Sequence, residues 1–177
     1  GGQLGDTGEL DWQDGAAIVQ DTKKYENLIV HIVKVIKGTL KNNDQVNLCI
    51  DAERRNALRV HHSATHLLHE ALRRNLGDHI TQKGSLVSPD KLRFDISHNK
   101  AISSSDINLI EDEINDKIRE NFNIETTEMD IESARNLGAL ALFGEKYGDQ
   151  VRVVKMGSHS KKYYSVELCG GTHVNRS

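Results

Sequence analysis

The sequence has few of the features that mark secreted or membrane-bound proteins. Cys49 and Cys169 are its two cysteines, so a disulfide framework is not expected and a reducing compartment is favoured. No apolar run approaches the roughly 18 residues that are needed to span a membrane, and no secretory signal is visible. We therefore expect a cytoplasmic protein that does not use a membrane as a partner.

Several common functional motifs are also missing. No Gly-Lys-Ser/Thr follows the glycine-rich residues 1–8, so they are not a P-loop. They form either a tight turn or a loop whose backbone N–H groups meet a phosphate backbone. There is no H-E-x-x-H in which a Glu could serve as the base of a metallohydrolase. The net charge of −3 gives no global argument for nucleic acid.

Basic residues are nevertheless concentrated in one part of the sequence. Residues 51–100 hold nine Lys or Arg against six Asp or Glu, and six of the nine histidines. Each basic side chain here is either a phosphate contact or an ordinary solvated charge. Together with two residues of the glycine-rich loop, the candidates for RNA contact are Gly2, Thr7, Arg54, Arg55, Arg73, Lys83 and Arg93, with Arg74 as a further basic neighbour.

A helix that carries histidines is predicted over residues 60–74. At about 100° per residue, three imidazoles fall within roughly 60° of one another, those of His62, His66 and His69. The opposite apolar stripe is expected to pack on a sheet, with the imidazoles facing outward into a cleft. Because His62 and His66 are four residues apart, they can hold one metal ion, the alternative being ordinary surface histidines.

A second spaced pair, Cys169 and His173, lies near the end of the sequence. The glycines between them let the backbone approach a ligand closely. Three imidazoles and one thiolate suit Zn²⁺, so the two pairs together predict a zinc site if distant parts of the chain converge. The alternative is a histidine helix with satisfied side chains and a buried free cysteine.

The predicted fold is α+β with two domains. Over residues 1–55, β-branched runs at 16–19, 28–36 and 46–50 alternate with turn signals and predict a small antiparallel β-barrel. The charged residues 51–55 mark the passage to a second domain, residues 56–177. There we expect an antiparallel sheet with helices on one face.

The elements of the second domain are predicted from caps and periodicity. Gly77 is expected to cap the histidine helix, the serine-rich residues 103–106 to cap a helix over 107–122, and Gly138 to end a short helix over 131–137. Strands are expected at 80–87, 92–96, 124–129, 151–156 and 163–166.

Longer motifs resemble the editing region of alanyl-tRNA synthetases and cover nearly the whole chain. They are Gly1-Gly2-Gln3 with Gly5-Asp6-Thr7-Gly8, residues 62–69, Gln82-Lys83-Gly84-Ser85-Leu86-Val87, residues 92–98, residues 141–149, and Cys169-Gly170-Gly171-Thr172-His173-Val174. A similar two-pair site occurs in threonyl-tRNA synthetases and in free-standing alanyl-tRNA editing proteins. The motif at 141–149 looks more like the full synthetase. His61 departs from the pattern, since the family usually has Asn there.

The resemblance implies a β-barrel followed by an editing domain. It implies Zn²⁺ held by His62, His66, Cys169 and His173. It also implies hydrolysis of the tRNA for alanine when that tRNA is mischarged with serine or glycine. The implied partners are the acceptor end of that tRNA and the remainder of a synthetase chain. Because nothing resembles the ATP-using core that activates alanine, we expect a piece of a longer synthetase that lacks aminoacylation by itself.

Hydrolysis of mischarged tRNA would correct errors that an alanine-binding pocket cannot avoid. One hydroxyl or methyl group is worth about 1–3 kcal/mol, so an alanine pocket needs a second, hydrolytic site to reject serine and glycine. Zinc either activates water or positions the tRNA 3′ end. Positioning is favoured, because four protein ligands close the zinc shell.

Two further side chains have candidate roles in that site. The amide of Gln82 is both donor and acceptor, so Gln82 either orients water or the serine hydroxyl or is a strand residue bonded to backbone. His69 either supports a ligand or has no part in the site. The competing interpretation of the whole is a metal-stapled tRNA-binding module without hydrolytic activity. A different metallohydrolase ranks last.

Overall fold

The structure, a computed structural model, describes residues 2–25, 28–140, 148–159 and 162–177. Gly1 and most of the motif at 141–149 lie outside the described residues. The elements are β1 (Gly8–Trp12), β2 (Gly15–Tyr25), β3 (Leu28–Lys37), β4 (Asn47–Ile50), α1 (Ala52–Leu76), β5 (Gln82–Val87), β6 (Leu92–Ile96), α2 (Ser104–Arg119), β7 (Ile124–Asp130), α3 (Ile131–Asn136), β8 (Gln150–His159) and β9 (Lys162–Leu168). The predicted α+β class is confirmed. Within this part of the chain, no helix combines the length and the apolar character that a bilayer crossing requires.

The first four strands form an antiparallel sheet in the order β3-β2-β1-β4. Its core is formed by Leu10, Ala17 and Val19, against which Val33 and Val46 pack. The predicted antiparallel strands are confirmed, but the barrel is not closed: β3 and β4 are the two edges and, among the residues described, do not pair with each other. Closure requires the edge strands to meet, and β4 is four residues long while β3 has ten.

Helix α1 is the longest element and begins earlier than predicted. Asp51 caps it, because the Asp51 carboxylate accepts a hydrogen bond from the backbone N–H of Arg54 at 2.9 Å. Gly77 is its C-cap, as predicted. The expected domain boundary after residue 55 therefore falls inside α1, and the division into two domains stays a prediction.

The described residues after α1 form two antiparallel sheets, where one was predicted. One is the hairpin β5-β6, and the other has the order β7-β8-β9. Helix α1 contacts β5, β6 and β9 as well as α2. Leu67 packs with Val154 and Met156 of β8, and Leu72 packs with Ile110 of α2. The apolar stripe of α1 thus contacts a sheet, as predicted, and a helix as well.

Residues 169–177 follow β9 and form a tail that turns back across the molecule. The backbone N–H of Cys169 donates to the carbonyl of Arg152 at 3.0 Å, and the N–H of Ser177 donates to the carbonyl of Phe122 at 3.1 Å. Between these two anchors, the N–H of Val174 donates to Ser63 Oγ on α1 at 3.1 Å. The tail is therefore fixed against the histidine-bearing side of α1.

An ion pair joins the glycine-rich loop to the start of α1. The Arg55 guanidinium donates to both carboxylate oxygens of Asp6, with Nε at 2.6 Å from Oδ1, and both side chains are largely buried. Beside it, the N–H of Asp51 donates to the carbonyl of Thr7 at 2.8 Å. The hydrogen bonds from Arg55 lower the pKa of Asp6 below its ordinary value, although burial opposes them.

We expect Asp6→Asn to lower the free energy of unfolding by about 1 kcal/mol at neutral pH, because a charge-assisted pair with some solvent access is lost. The pKa of Asp6 is lower in the folded chain, so its contribution is complete above the unfolded value and disappears as pH falls through the folded one. Denaturant unfolding at neutral pH and near pH 3 measures this. The exposed turn residue Asp14, changed to Asn, is the control, and equal losses in both variants would contradict the assignment.

Candidate metal centre

Four side chains from the two predicted pairs converge at the contact between α1 and the tail. One ligand atom from each of His62, His66, Cys169 and His173 lies within 4.8 Å of the other three. His62, His66 and Cys169 are 5%, 4% and 4% exposed. The expectation that the imidazoles face an open cleft is therefore wrong, because the tail covers them.

Helix α1 fixes the first pair and a braced turn fixes the second. The rings of His62 and His66 are nearly parallel, with centroids 5.3 Å apart, as expected for positions one helical turn apart. In the tail, Arg152 Nη1 donates to the carbonyls of Cys169 and Gly171 at 2.9 and 2.5 Å. These bonds hold the turn that directs Cys169 toward His62, whose Nε2 lies 3.4 Å from the sulfur.

A buried carboxylate supports the second helix histidine. Glu167 Oε2 lies 3.0 Å from His66 Nδ1 and 3.1 Å from His69 Nδ1, and Glu167 Oε1 accepts from Ser165 Oγ at 2.9 Å. Since a carboxylate accepts, each imidazole presents its Nδ1–H to Glu167, and His66 Nε2 is left free for a cation. His69 is outside the four-residue cluster and shares the carboxylate that orients His66.

The side-chain amide oxygen of Gln3 orients His62 as the Glu167 carboxylate orients His66. Gln3 Oε1 lies 2.6 Å from His62 Nδ1 and 3.0 Å from the backbone N of Thr172. His62 and His66 thus each have a fixed partner on Nδ1, which turns Nε2 of both rings toward Cys169.

The charges in the cluster favour an imidazolium at His66 and anions at Cys169 and Glu167. Burial lowers the pKa of His66, but the Glu167 carboxylate and the Cys169 sulfur outweigh burial and raise it to about 10. Burial raises the pKa of the Cys169 thiol, but polar contacts with the three histidines outweigh burial and lower it to about 3. Burial lowers the pKa of His173 to about 4. Burial raises the pKa of Glu167, but attraction to His66 and His69 and the hydrogen bonds from both rings together outweigh burial and hold the pKa well below the ordinary range.

These residues fit a divalent cation. Among the described side chains, His66 Nε2 and both ring nitrogens of His173 are buried without a hydrogen-bond partner. With Nδ1 donating to Gln3, the His62 ring turns a lone pair toward the Cys169 sulfur, and two electron-rich atoms at 3.4 Å need a cation or a proton between them. The Cys169 thiolate and the Glu167 carboxylate supply two negative charges. Three imidazoles and a thiolate match the ligand types that Zn²⁺ takes.

Gln82, the predicted catalytic residue, is the first residue of β5 and is half-buried. It lies opposite Ile96, and the register between β5 and β6 is irregular between Gln82 and Gly84. Irregularities of this kind redirect side chains and are common beside active sites. Strand β5 contacts α1. The catalytic role of Gln82 stays a prediction.

The predicted RNA contacts are distributed over several elements. Arg55 is paired with Asp6, and Arg73 is paired with Asp78. Arg54 has a buried Nη1 without a partner among the described residues. Arg93 is largely exposed beside Asp95, and Lys83 is exposed on β5.

The two loop residues predicted to contact RNA are part of the backbone framework. Gly2 accepts from the N–H of Val87, and the Thr7 carbonyl accepts from Asp51. The roles of all seven residues in RNA binding stay predictions. His61, which departs from the family pattern, donates from Nδ1 to the Ser88 carbonyl at 2.8 Å.

Three residues of the centre were not identified from the sequence: Gln3, Arg152 and Glu167. Glu167 is two positions before Cys169 in an extended segment, so period-two alternation could have placed both on one face. Gln3 stands within the glycine-rich motif, in which the glycines are the stronger sequence signal. Arg152 donates to two backbone carbonyls of the tail, and no sequence pattern indicates such a contact.

Comparisons with known proteins agree with the motifs. The family described as tRNA synthetases class II (A) matches residues 1–54, and the family described as Threonyl and Alanyl tRNA synthetase second additional domain matches residues 151–177. The alanine–tRNA ligase of Paracoccus denitrificans is 53% identical over 184 residues, which cover 100% of this chain and 21% of that protein. The alanine–tRNA ligase of Ruegeria sp. is 52% identical over 183 residues, with coverages of 100% and 21%.

The chain spans about a fifth of the length of the curated relatives it matches, 21% in both cases. The resemblance seen in the motifs is confirmed: over its whole length the chain is similar to alanyl-tRNA synthetases, and residues 151–177 match the second additional domain of threonyl- and alanyl-tRNA synthetases.

Proposed function

We propose that this chain is the editing portion of an alanyl-tRNA synthetase and hydrolyses the ester that joins serine or glycine to the tRNA for alanine. The observation that carries the proposal is the convergence of four buried ligand atoms from His62, His66, Cys169 and His173 within 4.8 Å. The remainder of the synthetase and the acceptor end of the tRNA are the proposed partners, and the cytoplasm is the proposed location.

Zinc is the proposed ion because of the donor set and its surroundings. Two nitrogens with lone pairs, a thiolate and a third imidazole give a four-coordinate set. A bound Zn²⁺ would supply a fixed positive charge that attracts and orients the tRNA 3′ end. With four protein ligands, the ion would have no open position for a reacting water, so we propose this positioning role.

The protein side chains supply the rest of the chemistry. Ester hydrolysis needs a directed water molecule and donors for the oxyanion that forms. We assign the orientation of water, or of the serine hydroxyl, to Gln82, whose amide can donate and accept at once. The irregular register at Gln82–Gly84 supports a side chain that is directed away from regular strand geometry.

Deacylation of matched substrates tests the proposal. The zinc-loaded chain is incubated with Ser-tRNA, Gly-tRNA and Ala-tRNA, all made on the tRNA for alanine, and the remaining ester is measured over time. We expect the first two to be hydrolysed at least about 10-fold faster than the third, which corresponds to about 1.4 kcal/mol of discrimination.

Other results would redirect the assignment. Binding of all three tRNAs while every ester decays at the rate in buffer would favour a metal-stapled tRNA-binding module. Equal hydrolysis of all three would contradict an editing role. Metal analysis of the purified chain, with about one zinc per chain expected, tests the cofactor separately from the activity.

A further inference from the structure

The N-terminal segment reaches the metal centre through a single side chain. Residues 2–4 lie along the edge of β5, where the N–H of Val87 donates to the Gly2 carbonyl at 2.8 Å and the N–H of Leu4 donates to the Val87 carbonyl at 3.0 Å. These two bonds fix the backbone on both sides of Gln3. The Gln3 side chain then extends to the tail and contacts Thr172, 169 positions away in the sequence.

The contacts of Gln3 settle which end of its amide faces the metal ligands. The backbone N–H of Thr172 can only donate, and it lies 3.0 Å from Oε1, so that atom must be the oxygen. The amide nitrogen then lies 3.0 Å from Thr172 Oγ1, a hydroxyl that can accept. The orientation of the Gln3 amide is therefore determined by the Thr172 N–H, which can donate but cannot accept.

The same oxygen determines the state of a metal ligand. His62 Nδ1 lies 2.6 Å from Gln3 Oε1, and since the oxygen accepts, Nδ1 must carry a proton. The lone pair of the neutral ring is consequently on Nε2, the nitrogen that lies 3.4 Å from the Cys169 sulfur. One acceptor thus selects the tautomer of a ligand from α1 and holds the turn that carries the ligands of the tail.

We propose that Gln3 is a positioning residue of the metal centre, which presents His62 Nε2 to the ion and keeps the turn at Thr172 against α1. The proposal rests on the proposed zinc site and assigns to Gln3 what Glu167 does for His66. It also makes the N-terminal segment part of the metal centre. Groups that orient metal-bound histidines in this way typically change metal affinity by about 10–100-fold when they are removed.

Zinc affinity in two variants tests the role of the acceptor. We expect Gln3→Ala to weaken zinc binding by about 10–100-fold, measured by competition with a chromophoric chelator at a concentration where circular dichroism shows the chain folded. Gln3→Glu keeps an acceptor at the same place, so it should retain the affinity of the parent chain or exceed it. Gln20→Ala, at an exposed position on β2, is the control and should bind like the parent chain.

Two affinity results would overturn the proposal. One is Gln3→Ala binding zinc as tightly as the control. The other is Gln3→Glu losing as much affinity as Gln3→Ala, because the acceptor would then not be what matters.

A metal-free measurement keeps the inference separate from the proposed function. Nitrogen-15 spectra of the histidine rings at mildly alkaline pH should show His62 Nδ1 protonated in the parent chain. In Gln3→Ala we expect that proton to move to Nε2, where it can be donated to the Cys169 sulfur. If the parent chain takes up no zinc, the proposed cofactor is wrong, and this spectrum alone decides the role of Gln3. An unchanged Nδ1 proton in Gln3→Ala would overturn it.

Discussion

Replacing Cys169 with Ala should weaken zinc binding by at least about 100-fold and reduce deacylation in parallel. Sites with four such ligands bind zinc with about 10–16 kcal/mol, so each ligand accounts for roughly 3 kcal/mol, or an affinity change of about 100-fold or more. The loss should be large here because Cys169 contributes the one anionic ligand of the cluster. Metal analysis after dialysis and the rate of Ser-tRNA hydrolysis are the two measurements.

The chain offers a matched control for this experiment. Cys49 is also a free cysteine, but it is exposed on β4 and is not one of the four clustered residues. Cys49→Ala should keep both zinc and activity. Cys169 also packs with Leu67 and Met156, so Cys169→Ser, which fills a similar volume, separates loss of the ligand from loss of packing. Full activity in a zinc-free Cys169→Ala protein would show that the metal is dispensable.

Replacing Gly171 with Ala should damage the centre although no ligand is removed. A Cβ at this position would overlap the His62 ring and would lie 3.0 Å from Gln3 Oε1. Either the ring or the turn must move, and a displacement of about 1 Å can reduce a catalysed rate by about 100-fold. We expect a loss of that order in Ser-tRNA hydrolysis, together with weaker zinc binding.

The neighbouring glycine provides the comparison for that variant. A Cβ at Gly170 would have no atom within 4 Å, and Gly170 is exposed. Gly170→Ala should therefore keep zinc affinity and activity, although it makes the same chemical change one residue away. Equal effects of the two substitutions would mean that flexibility of the turn, rather than contact with His62, makes glycine necessary at Gly171.

Local sequence signals predicted the elements that depend on local chemistry. The cap at Gly77 is confirmed, and β6 has the predicted bounds. Of the predicted cap residues 103–106, Ser103 is the one that caps α2, which therefore runs over Ser104–Arg119 and not over 107–122. The sequence patterns did not predict helix or strand where charged residues lie within these elements. Asp51 to Arg55 read as a charged boundary but form the cap and first turn of α1, and β1 was missed because Leu10 stands between two acidic residues.

The long-range arrangement was less accessible, because spacing gives the face of an element and not what covers it. Helical periodicity placed His62 and His66 on one face, but only the structure shows that the tail buries that face. For the same reason the sequence did not indicate that the barrel is open, since strand runs do not reveal whether the edges meet. The contacts of Gln3 and Arg152 with the tail depend on that same long-range packing.

The large sequence separation of the proposed ligands limits when a zinc ion could be bound during synthesis of the chain. His62 and Cys169 are 107 positions apart, so a chain emerging from the ribosome displays its helical pair long before the partner pair exists. An ion that joins them closes a loop of about 100 residues, for which chain-entropy arguments give roughly 4–5 kcal/mol. The proposed zinc could therefore be held by all four ligands only after residues 169–173 have been synthesised, and zinc starvation would weaken the contact of these residues with α1.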